Sequence, residues 1–323
     1  MSYVLAVDLG ATNIRVALGT REGKLLVKVK EKTVREGDEY SVANQIVNII
    51  NKHFSNAIRK VAGIGIGSIG PLDLKKGRII KPVNLPFKTV ELKTPIEEKL
   101  GLKVRILNDA VAAVWGEKIF GLGVNVANIV YITLSTGIGA GVIVDNHLLL
   151  GKDGNAHEVG HIIVDFNGTM RCGCGKLGHW EAYASGRNIP EYAMYLIETK
   201  FSQLLGKSSL KKYVEDKKLS SETLFKEARK GDALALRIVE EIGKINAAGF
   251  ASVINAYDPE LITIGGAIAL NNRELVLKYL TKYLDLYVIN RKPKITITPL
   301  GEDIVLYGAL AMIVQEPECS TAL

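Results

Sequence analysis

Two short turns rich in glycine and threonine follow apolar runs that are typical of buried strands. The first turn, residues 10–13, comes directly after a run that ends at Asp8, and the second spans residues 135–141. A tight turn exposes consecutive backbone N–H groups, and glycine lets phosphate oxygens approach them closely. Either turn alone is also typical of an ordinary hairpin. The pair, with a carboxylate placed to hold hydrated Mg²⁺, indicates a nucleotide site.

A second candidate for chemistry is the pair Asn108 and Asp109, which ends an apolar run just before a predicted helix. A carboxylate at that position can accept the proton of a hydroxyl nucleophile, which is general-base catalysis. Asn and Asp are also favoured as helix N-caps. The dipeptide alone therefore leaves a catalytic role and a capping role open.

Residues 157–161 match the H-E-x-x-H pattern of zinc proteases. That chemistry needs a helix that places both imidazoles on one face. However, Gly160 lies inside the pattern, and the β-branched run 162–164 that follows favours a strand. We therefore do not expect a zinc protease.

A different metal site is suggested by Cys172, Cys174 and His179, with His161 upstream. Two thiolates and two imidazoles suit tetrahedral zinc, and a metal would order a glycine-rich loop that has few apolar side chains. The C-x-C spacing is tighter than that of a usual zinc finger. Two reduced thiols without a metal remain the alternative, and Cys319 has no partner in the sequence.

The spacing of apolar residues predicts the elements that must position these groups. Strands are predicted at 3–8, 14–18, 25–30, 61–67, 104–107, 128–134, 142–144, 261–264 and, as an edge strand, 294–299. Helices are predicted at 41–60, 96–100, 110–118, 177–205 with a break near Pro190, 221–230, 232–257 and 304–314. The strand, turn and strand around Gly10 recur around Gly137. This repeat predicts an α/β fold with duplicated β-sheet cores and a cleft between two halves.

The composition is that of a folded chain. With 323 residues and about 150 residues per domain, the length suggests about two domains. Apolar residues make up 47% and charged residues 23%, which excludes a disordered chain, a collagen and a coiled coil. The net charge of +7 comes from bases mixed with acids, so it indicates a solvated surface that also suits anionic substrates such as nucleotides. Three Cys exclude a disulfide scaffold and fit a reducing compartment.

Residues 119–144 carry no charge and are numerous enough to span a bilayer. Glycines at 121, 123, 137, 139 and 141 interrupt the stretch, so it is predicted as a loop, a strand, a turn and a second strand. The first residues lack the basic region of a signal peptide. We expect a cytoplasmic, soluble protein.

In this order, the motifs resemble those of the ROK family of sugar kinases and sugar-responsive repressors, over nearly the whole chain. The resemblance rests on residues 8–13, 65–73, 82–85, 107–110, 135–141, 158–161 and 172–181, and on Gly265 and Gly266 after a strand. His179 stands where the zinc signature of the family has a third Cys. A site of two Cys and two His remains feasible there, since His also binds zinc.

The resemblance implies a two-lobed, actin-like (ribonuclease H-like) ATPase fold with an interlobe cleft. It implies transfer of the γ-phosphate of ATP to the 6-hydroxyl of glucose and of related hexoses such as mannose, glucosamine and N-acetylglucosamine. The implied catalytic base is Asp109, and the implied sugar contacts are Gly67, Ser68, Asn84, Asn108, Asp109, Glu158, His161 and Glu181. ATP is assigned to Asp8, Gly10, Ala11, Thr12, Asn13, Thr136, Gly137, Gly139, Gly265 and Gly266. Mg²⁺ is expected at Asp8 through water, and zinc at His161, Cys172, Cys174 and His179, with His161 turning its second ring nitrogen to the sugar.

The predicted lobes are residues 1–107, completed by 303–323, and residues 108–302. We expect a homodimer without nucleic-acid or membrane partners. The nearest alternative is a kinase specific for N-acetylhexosamines, which differs in what it accepts at the 2-position. A sugar-sensing repressor of the family would need a DNA-binding domain before Asp8, where the sequence leaves no room. A protein-folding or cytoskeletal ATPase would leave Glu158, His161 and Glu181 unexplained.

Overall fold

The computed structural model describes residues 2–82 and 84–319. The chain divides into two compact units. Unit 1 comprises Met1–Tyr131, Gly141–His157 and Thr298–Leu323, and unit 2 comprises Ile132–Ala140 and Glu158–Ile297. This division groups residues by their contacts, and the predicted lobes, 1–107 with 303–323 and 108–302, stay a prediction.

The described residues form groups of strands and groups of helices along the chain. The strands are β1 (Tyr3–Leu9), β2 (Asn13–Thr20), β3 (Leu25–Lys32), β4 (Val61–Ser68), β5 (Leu72–Asp73), β6 (Arg78–Ile80), β7 (Thr89–Glu91), β8 (Val104–Asn108), β9 (Ile129–Leu134), β10 (Ile138–Val144), β11 (His147–Leu148), β12 (Leu261–Gly265) and β13 (Lys294–Ile297). The α-helices are α1 (Ser41–Phe54), α2 (Lys93–Leu100), α3 (Asp109–Phe120), α4 (Glu181–Ala184), α5 (Ile189–Thr199), α6 (Ser202–Leu205), α7 (Lys211–Glu215), α8 (Ser221–Arg229), α9 (Ala233–Tyr257), α10 (Ala267–Asn271), α11 (Arg273–Leu284) and α12 (Ile304–Val314).

The first sheet lies in unit 1 and has the strand order β3-β2-β1-β4-β8. Its first three strands, all predicted, are antiparallel, and β1, β4 and β8 are parallel to one another. Leu9 pairs with Ser68, and Ser68 pairs with Asn108. The carboxyl ends of the three parallel strands therefore meet at one edge, where the chain continues into the first phosphate turn and into α3.

The two faces of this sheet carry different residues because side chains alternate along a strand. Leu5, Val7 and Leu9 share one buried core with the apolar stripe of α1. The other face of β1 includes Asp8, and α12 packs against β1, β4 and α3. The approach of α12 to α3 requires glycine, since a Cβ at Gly308 would overlap the backbone of Ala112.

The second sheet has the order β11-β10-β9-β12-β13, and its strands β9 and β10 contribute residues to both units. The turn between β9 and β10 repeats the turn between β1 and β2, as the recurring motif predicts. In unit 2, β13 pairs in parallel with β12 and lies at the edge of the sheet. The predicted edge strand is therefore confirmed.

A cluster of ionic and polar contacts joins helices α9 and α11 of unit 2. Glu240 accepts hydrogen bonds from Lys282 Nζ at 2.5 Å and from the hydroxyl of Tyr283 at 2.6 Å. Arg237 lies 3.5 Å from the other carboxylate oxygen. These hydrogen bonds, with that of Lys282 the strongest cause, lower the pKa of Glu240 to about 2.

We expect Glu240→Gln to destabilise the protein at neutral pH by about 1 kcal/mol, the scale of a networked surface ion pair. Because the folded protein lowers this pKa, the contribution is full above the unfolded value, 4.5, and is lost as the pH falls through about 2. Thermal unfolding of both proteins at pH 7 and pH 3 measures the difference. The matched control is Glu198→Gln, because the exposed side chain of Glu198 bonds to no described residue. An equal destabilisation at both pH values would contradict the ionic origin.

Several predicted elements need correction. The helix predicted over 41–60 ends at Phe54, where the weak helix formers Ser55 and Asn56 follow. The predicted turn 135–141 is shorter, since β10 begins at Ile138. Residues 162–164 form only one isolated bridge, between Ile163 and His179, instead of a strand. No α-helix forms over 157–161 either, so the geometry of a zinc protease is absent, as expected.

The helix predicted over 177–205 is three helices, α4, α5 and α6. Its first residues are not helical because Gly178 has a φ of +72°. Helix α11 and the small antiparallel sheet β5-β6-β7 were not predicted. The uncharged stretch 119–144 forms the end of α3, a loop and the hairpin β9–β10, and none of the helices in the described residues has the length and apolar character needed to cross a bilayer.

Candidate active site

The first phosphate turn, residues 10–13, is held in shape by Thr33 in unit 1. The hydroxyl of Thr33 donates to the carbonyl of Gly10 at 2.7 Å, and its N–H donates to the carbonyl of Thr12 at 3.0 Å. The N–H groups of Ala11 and Thr12 donate to no residue in the described part of the chain. The turn therefore presents two consecutive donors, as a phosphate site requires.

Asp8, just before this turn, is paired with Arg15, which lies opposite it on β2. Arg15 donates through Nε at 2.8 Å and through Nη2 at 2.5 Å to the same oxygen, Oδ2. It also donates to the carbonyl of Glu302 at 2.7 Å and lies 3.2 Å from Asp303. Burial raises the pKa of Asp8, although the charge of Arg15 opposes this shift. The second oxygen of Asp8 accepts no hydrogen bond from a described residue, so this carboxylate fits a ligand of hydrated Mg²⁺.

Asn108 and Asp109 have different structural roles. Asn108 is the N-cap of α3, and its Oδ1 accepts from Ala110 N at 3.0 Å and from Val111 N at 3.4 Å. Asp109 is the first residue of the helix and is half-buried. The capping role therefore belongs to Asn108, and the amide Nδ2 of Asn108 donates to no described residue. Asp109 Oδ1 also accepts from Ala110 N, at 2.8 Å, but Asp109 lies inside the helix and is not its N-cap.

Asp109 and the first phosphate turn lie at the same edge of the first sheet. Leu9, Ser68 and Asn108 are paired in one row across β1, β4 and β8. Adjacent strands are about 4.8 Å apart, so the residues that follow Leu9 and Asn108 start about 10 Å from each other. This spacing suits a base that acts on a hydroxyl beside a bound phosphate.

The contacts of three further residues of unit 1 that were predicted to bind sugar do not by themselves indicate a sugar site. Gly67 is packed against α12, where a Cβ would overlap Val305. Ser68 is buried and its hydroxyl donates to the carbonyl of Ile69 at 3.0 Å. Asn84 is exposed, and its carbonyl accepts from Arg35 Nη1 at 3.1 Å. Their roles as sugar contacts stay a prediction.

The second phosphate loop, residues 135–138 of unit 2, has the same kind of unpaired donors. The N–H of Ser135 donates to the carbonyl of Gly137 at 3.0 Å, which closes the turn. The N–H groups of Thr136 and Gly137 donate to no described residue. Gly139, also predicted to bind phosphate, lies inside β10.

Glu181, at the start of α4, reaches this loop. Its Oε2 accepts the N–H of Ile138 at 2.8 Å. A Cβ at Gly137 would lie 2.7 Å from the same oxygen, closer than real Cβ contacts, so a larger residue at 137 would have to displace the Glu181 carboxylate or the loop. Glu181 is therefore a neighbour of the phosphate loop as well as a predicted sugar contact.

Glu158 and His161 lie together in unit 2. His161 Nδ1 donates to Glu158 Oε2 at 3.0 Å. This hydrogen bond raises the pKa of His161 despite partial burial. The bond fixes the orientation of the imidazole, and it leaves Nε2 for another partner.

The four predicted metal ligands come together. Single ligand atoms of His161, Cys172, Cys174 and His179 all lie within 4.8 Å of one another. Tetrahedral zinc, with bonds of about 2.0–2.3 Å, holds its ligand atoms about 3.3–3.8 Å apart. The separation of Cys174 Sγ and His179 Nδ1, 3.3 Å, is already of that size. Two thiols and two imidazoles at these distances fit zinc.

Cys172 is the buried thiol of the cluster. Burial raises the pKa of Cys172 to about 11, so this thiol is protonated at neutral pH without a metal. Its Sγ donates to Glu181 Oε1 at 3.8 Å. Zinc would displace that proton, because only the thiolate binds a metal.

The predicted adenosine motif lies at the end of β12. Gly265 is its last residue, and Gly266 has a φ of +86° just before α10. A Cβ at Gly266 would overlap the carbonyl of Leu134 in β9, so glycine is required for packing there. Nothing in these contacts depends on a nucleotide, and the role of both glycines stays a prediction.

Each unit thus gathers a distinct part of the predicted set. Unit 1 brings together Asp8, residues 10–13, Asn108 and Asp109, and unit 2 brings together the second phosphate loop, Glu158, His161, Glu181 and the metal cluster. Sequence reasoning missed Arg15, although an Arg two residues after a phosphate turn and seven residues from Asp8 was a signal in the sequence.

This chain is similar to known proteins over nearly its whole length. A family model described as "ROK family" matches residues 4–316. The chain belongs to the ROK family. A glucokinase of Pyrobaculum calidifontis is 39% identical to this ROK chain over 318 residues, with 98% of this chain and 97% of the relative covered. A glucokinase of Aeropyrum pernix is 36% identical over 329 residues and covers 98% of each chain.

A solved structure of a ROK family protein is also similar to this chain. The ROK family glucokinase of Streptomyces griseus, in complex with glucose and AMPPNP, has a TM-score of 0.76 and 31% identity, with 96% of this chain and 99% of that chain covered. These likenesses confirm the predicted family and the predicted actin-like ATPase fold with duplicated sheet cores.

Proposed function

We propose that this ROK protein is an ATP-dependent hexokinase that transfers the γ-phosphate of ATP to the 6-hydroxyl of glucose. The similarity to two archaeal glucokinases over 98% of the chain supports a sugar kinase. The observation that carries the proposed chemistry is the position of Asp109. It lies at the sheet edge that also carries the first phosphate turn, and Asn108 provides the helix cap in its place.

The reaction needs little covalent chemistry from the protein. The Asp109 carboxylate accepts the proton of the 6-hydroxyl as the hydroxyl oxygen bonds to the γ-phosphorus. The bond from that phosphorus to the bridging oxygen breaks, and ADP leaves with the electron pair. Exclusion of water would limit wasteful ATP hydrolysis.

The phosphates of ATP are assigned to the two turns with unpaired N–H groups. Ala11 and Thr12 donate in unit 1, and Thr136 and Gly137 donate in unit 2. Asp8 would hold Mg²⁺ through water, and the ion, when bound, neutralises phosphate charge. Arg15 keeps Oδ2 of Asp8 occupied, so that only the other oxygen faces a ligand.

The sugar hydroxyls are assigned to polar side chains that the family resemblance implies as sugar contacts. In unit 1 these are Asn84, Asn108 and Asp109, and in unit 2 they are Glu158 and Glu181. The predicted contact of His161 with sugar is not proposed further, because Nδ1 is bonded to Glu158 and only Nε2 remains for zinc. A pocket that satisfies several hydroxyls rejects molecules that lack them. Mannose, glucosamine and N-acetylglucosamine share the 6-hydroxyl and differ from glucose at carbon 2, so they are the proposed further substrates.

A coupled assay of ADP release over glucose, mannose, glucosamine, N-acetylglucosamine and N-acetylmannosamine tests the assignment. We expect the highest kcat/KM with glucose. A preference for N-acetylhexosamines of about 10-fold or more would assign the protein to the alternative class instead. Release of ADP that does not depend on any sugar would contradict a hexokinase.

We also propose one structural zinc at His161, Cys172, Cys174 and His179. Elemental analysis of protein purified without added zinc is expected to give about one zinc per chain, and Cys174→Ser is expected to lose it. Cys319→Ser is the matched control, because Cys319 is not one of the four clustered ligands. Less than about 0.2 zinc per chain in active enzyme would mean that the loop is ordered by hydrogen bonds alone.

The proposed oligomeric state rests on the family resemblance, and the proposed compartment rests on the thiols. We propose a homodimer in the cytoplasm, where ATP is available and where the three free thiols stay reduced. Light scattering coupled to gel filtration measures the mass directly.

A further inference from the structure

Seven residues of unit 2 hold the second phosphate loop in place. This anchoring segment, residues 181–187, makes three hydrogen bonds to the loop. Two are backbone bonds of 2.7 and 3.2 Å, from the N–H groups of Gly186 and Arg187 to the carbonyls of Ser135 and Thr136. The third is the 2.8 Å bond from the N–H of Ile138 to Glu181 Oε2. It is the one side-chain bond of the three and involves a charged acceptor, which makes it the strongest kind.

The carboxylate of Glu181 joins this loop to the metal cluster. While Oε2 accepts from Ile138, Oε1 accepts from the Cys172 thiol at 3.8 Å. Cys172 is buried, and so is Trp180, the residue that precedes Glu181. One side chain is therefore in contact with a predicted zinc ligand and with a predicted phosphate-binding loop.

The backbone of Glu181 has little freedom to move. Trp180 donates through Nε1 to Asn246 at 2.8 Å, and its ring packs edge-on against Phe250. On the other side, Asn188 Nδ2 donates to the carbonyl of Glu181 at 3.0 Å. With the backbone fixed at both ends, the carboxylate determines where Ile138 and the donors before it lie.

We propose that Glu181 is a positioning residue for the second phosphate loop, so that hexose occupancy and the metal cluster influence nucleotide affinity through it. This inference rests on the proposed function, which makes Glu181 a sugar contact. A carboxylate shared by two sites couples them, and such coupling is reciprocal: the hexose changes the affinity for nucleotide by the same factor as the nucleotide changes the affinity for hexose.

The test is the binding of Mg²⁺–ADP without any sugar, measured by calorimetry. A residue that only contacts sugar would not change this binding, whereas Glu181→Ala is expected to weaken it by about 5-fold or more. Asn84→Ala is the matched control, since Asn84 is a predicted sugar contact in unit 1 whose side chain bonds to no described residue. It is expected to weaken hexose binding and to leave ADP binding unchanged.

Hydrogen exchange gives a second readout at the loop itself. The amide of Ile138 is expected to exchange faster in Glu181→Ala than in the parent protein, and at the parental rate in Asn84→Ala. If Glu181→Ala does not fold, Glu181→Gln is used instead. This side chain keeps the shape of Glu181 and offers Ile138 a neutral acceptor. The expected loss of ADP affinity is then smaller, about 3-fold.

The outcomes separate this inference from the proposed function. Loss of hexose binding with parental ADP affinity and parental exchange at Ile138 would overturn the positioning role and leave the hexokinase intact. A parent protein that phosphorylates no hexose would overturn the proposed function, and the ADP measurement on Glu181→Ala would still decide whether this side chain positions the loop.

Discussion

Asp109→Asn is expected to lower kcat for glucose phosphorylation by at least about 100-fold, because general-base catalysis contributes about 10²–10⁴-fold. The Asn side chain has nearly the same shape but cannot take the proton of the 6-hydroxyl. Glucose binding, measured by calorimetry, is expected to change little, since an amide still forms hydrogen bonds with a hydroxyl. The loss therefore appears in kcat and not in the affinity for sugar.

The stability of the same variant separates catalysis from helix capping. Asp109 is the first residue of α3, so its charge contributes only about 0.3–1 kcal/mol through the helix dipole. The matched variant Asn108→Ala removes the cap and is expected to cost about 1 kcal/mol of unfolding free energy. Near-normal turnover of Asp109→Asn would return Asp109 to a helix-terminal role and would leave the proposed mechanism without a base.

Gly137→Val is expected to raise the Kd for ATP by about 5- to 100-fold, since crowding a packed site costs about 1–3 kcal/mol. From the sequence we expected a side chain here to enter the phosphate site directly. The structure assigns the clash to Glu181 Oε2, which lies 2.7 Å from the position of the added Cβ. Either the Glu181 carboxylate or the loop must shift, and either shift disturbs the bond from Ile138 that holds the N–H donors of Thr136 and Gly137 in place.

Gly206→Val is the control for this variant, because a Cβ at Gly206 meets nothing within 4 Å. Its ATP affinity and unfolding temperature are expected to be those of the parent. Circular dichroism of Gly137→Val is expected to show an intact fold. Parental ATP affinity in Gly137→Val would exclude residues 135–138 from the phosphate site.

The elements and the metal cluster that depend on local sequence patterns were predicted from the sequence. The strands before the two turns and helix α12 follow from apolar spacing. The metal cluster was also predicted, because four soft or borderline ligands occur within residues 161–179. Its geometry then follows from the loop that bridges Ile163 to His179.

The bonds between distant elements were beyond sequence reasoning. Glu181 meets Ile138 across more than forty residues, and Arg15 meets Glu302 and Asp303 across most of the chain. No periodicity encodes which side chain of one element faces another. The dipeptide Asn108–Asp109 shows the same limit, because both residues favour an N-cap and only the backbone geometry assigns the cap to Asn108.

The central claim is phosphoryl transfer to the 6-hydroxyl of a hexose, and the identity of the product tests it most directly. The protein is incubated with glucose, ATP and Mg²⁺, and the product is examined by ³¹P NMR. The account predicts ADP and one new phosphomonoester whose phosphorus couples to the two protons of carbon 6. A phosphate on carbon 1, or inorganic phosphate with unmodified glucose, would contradict it.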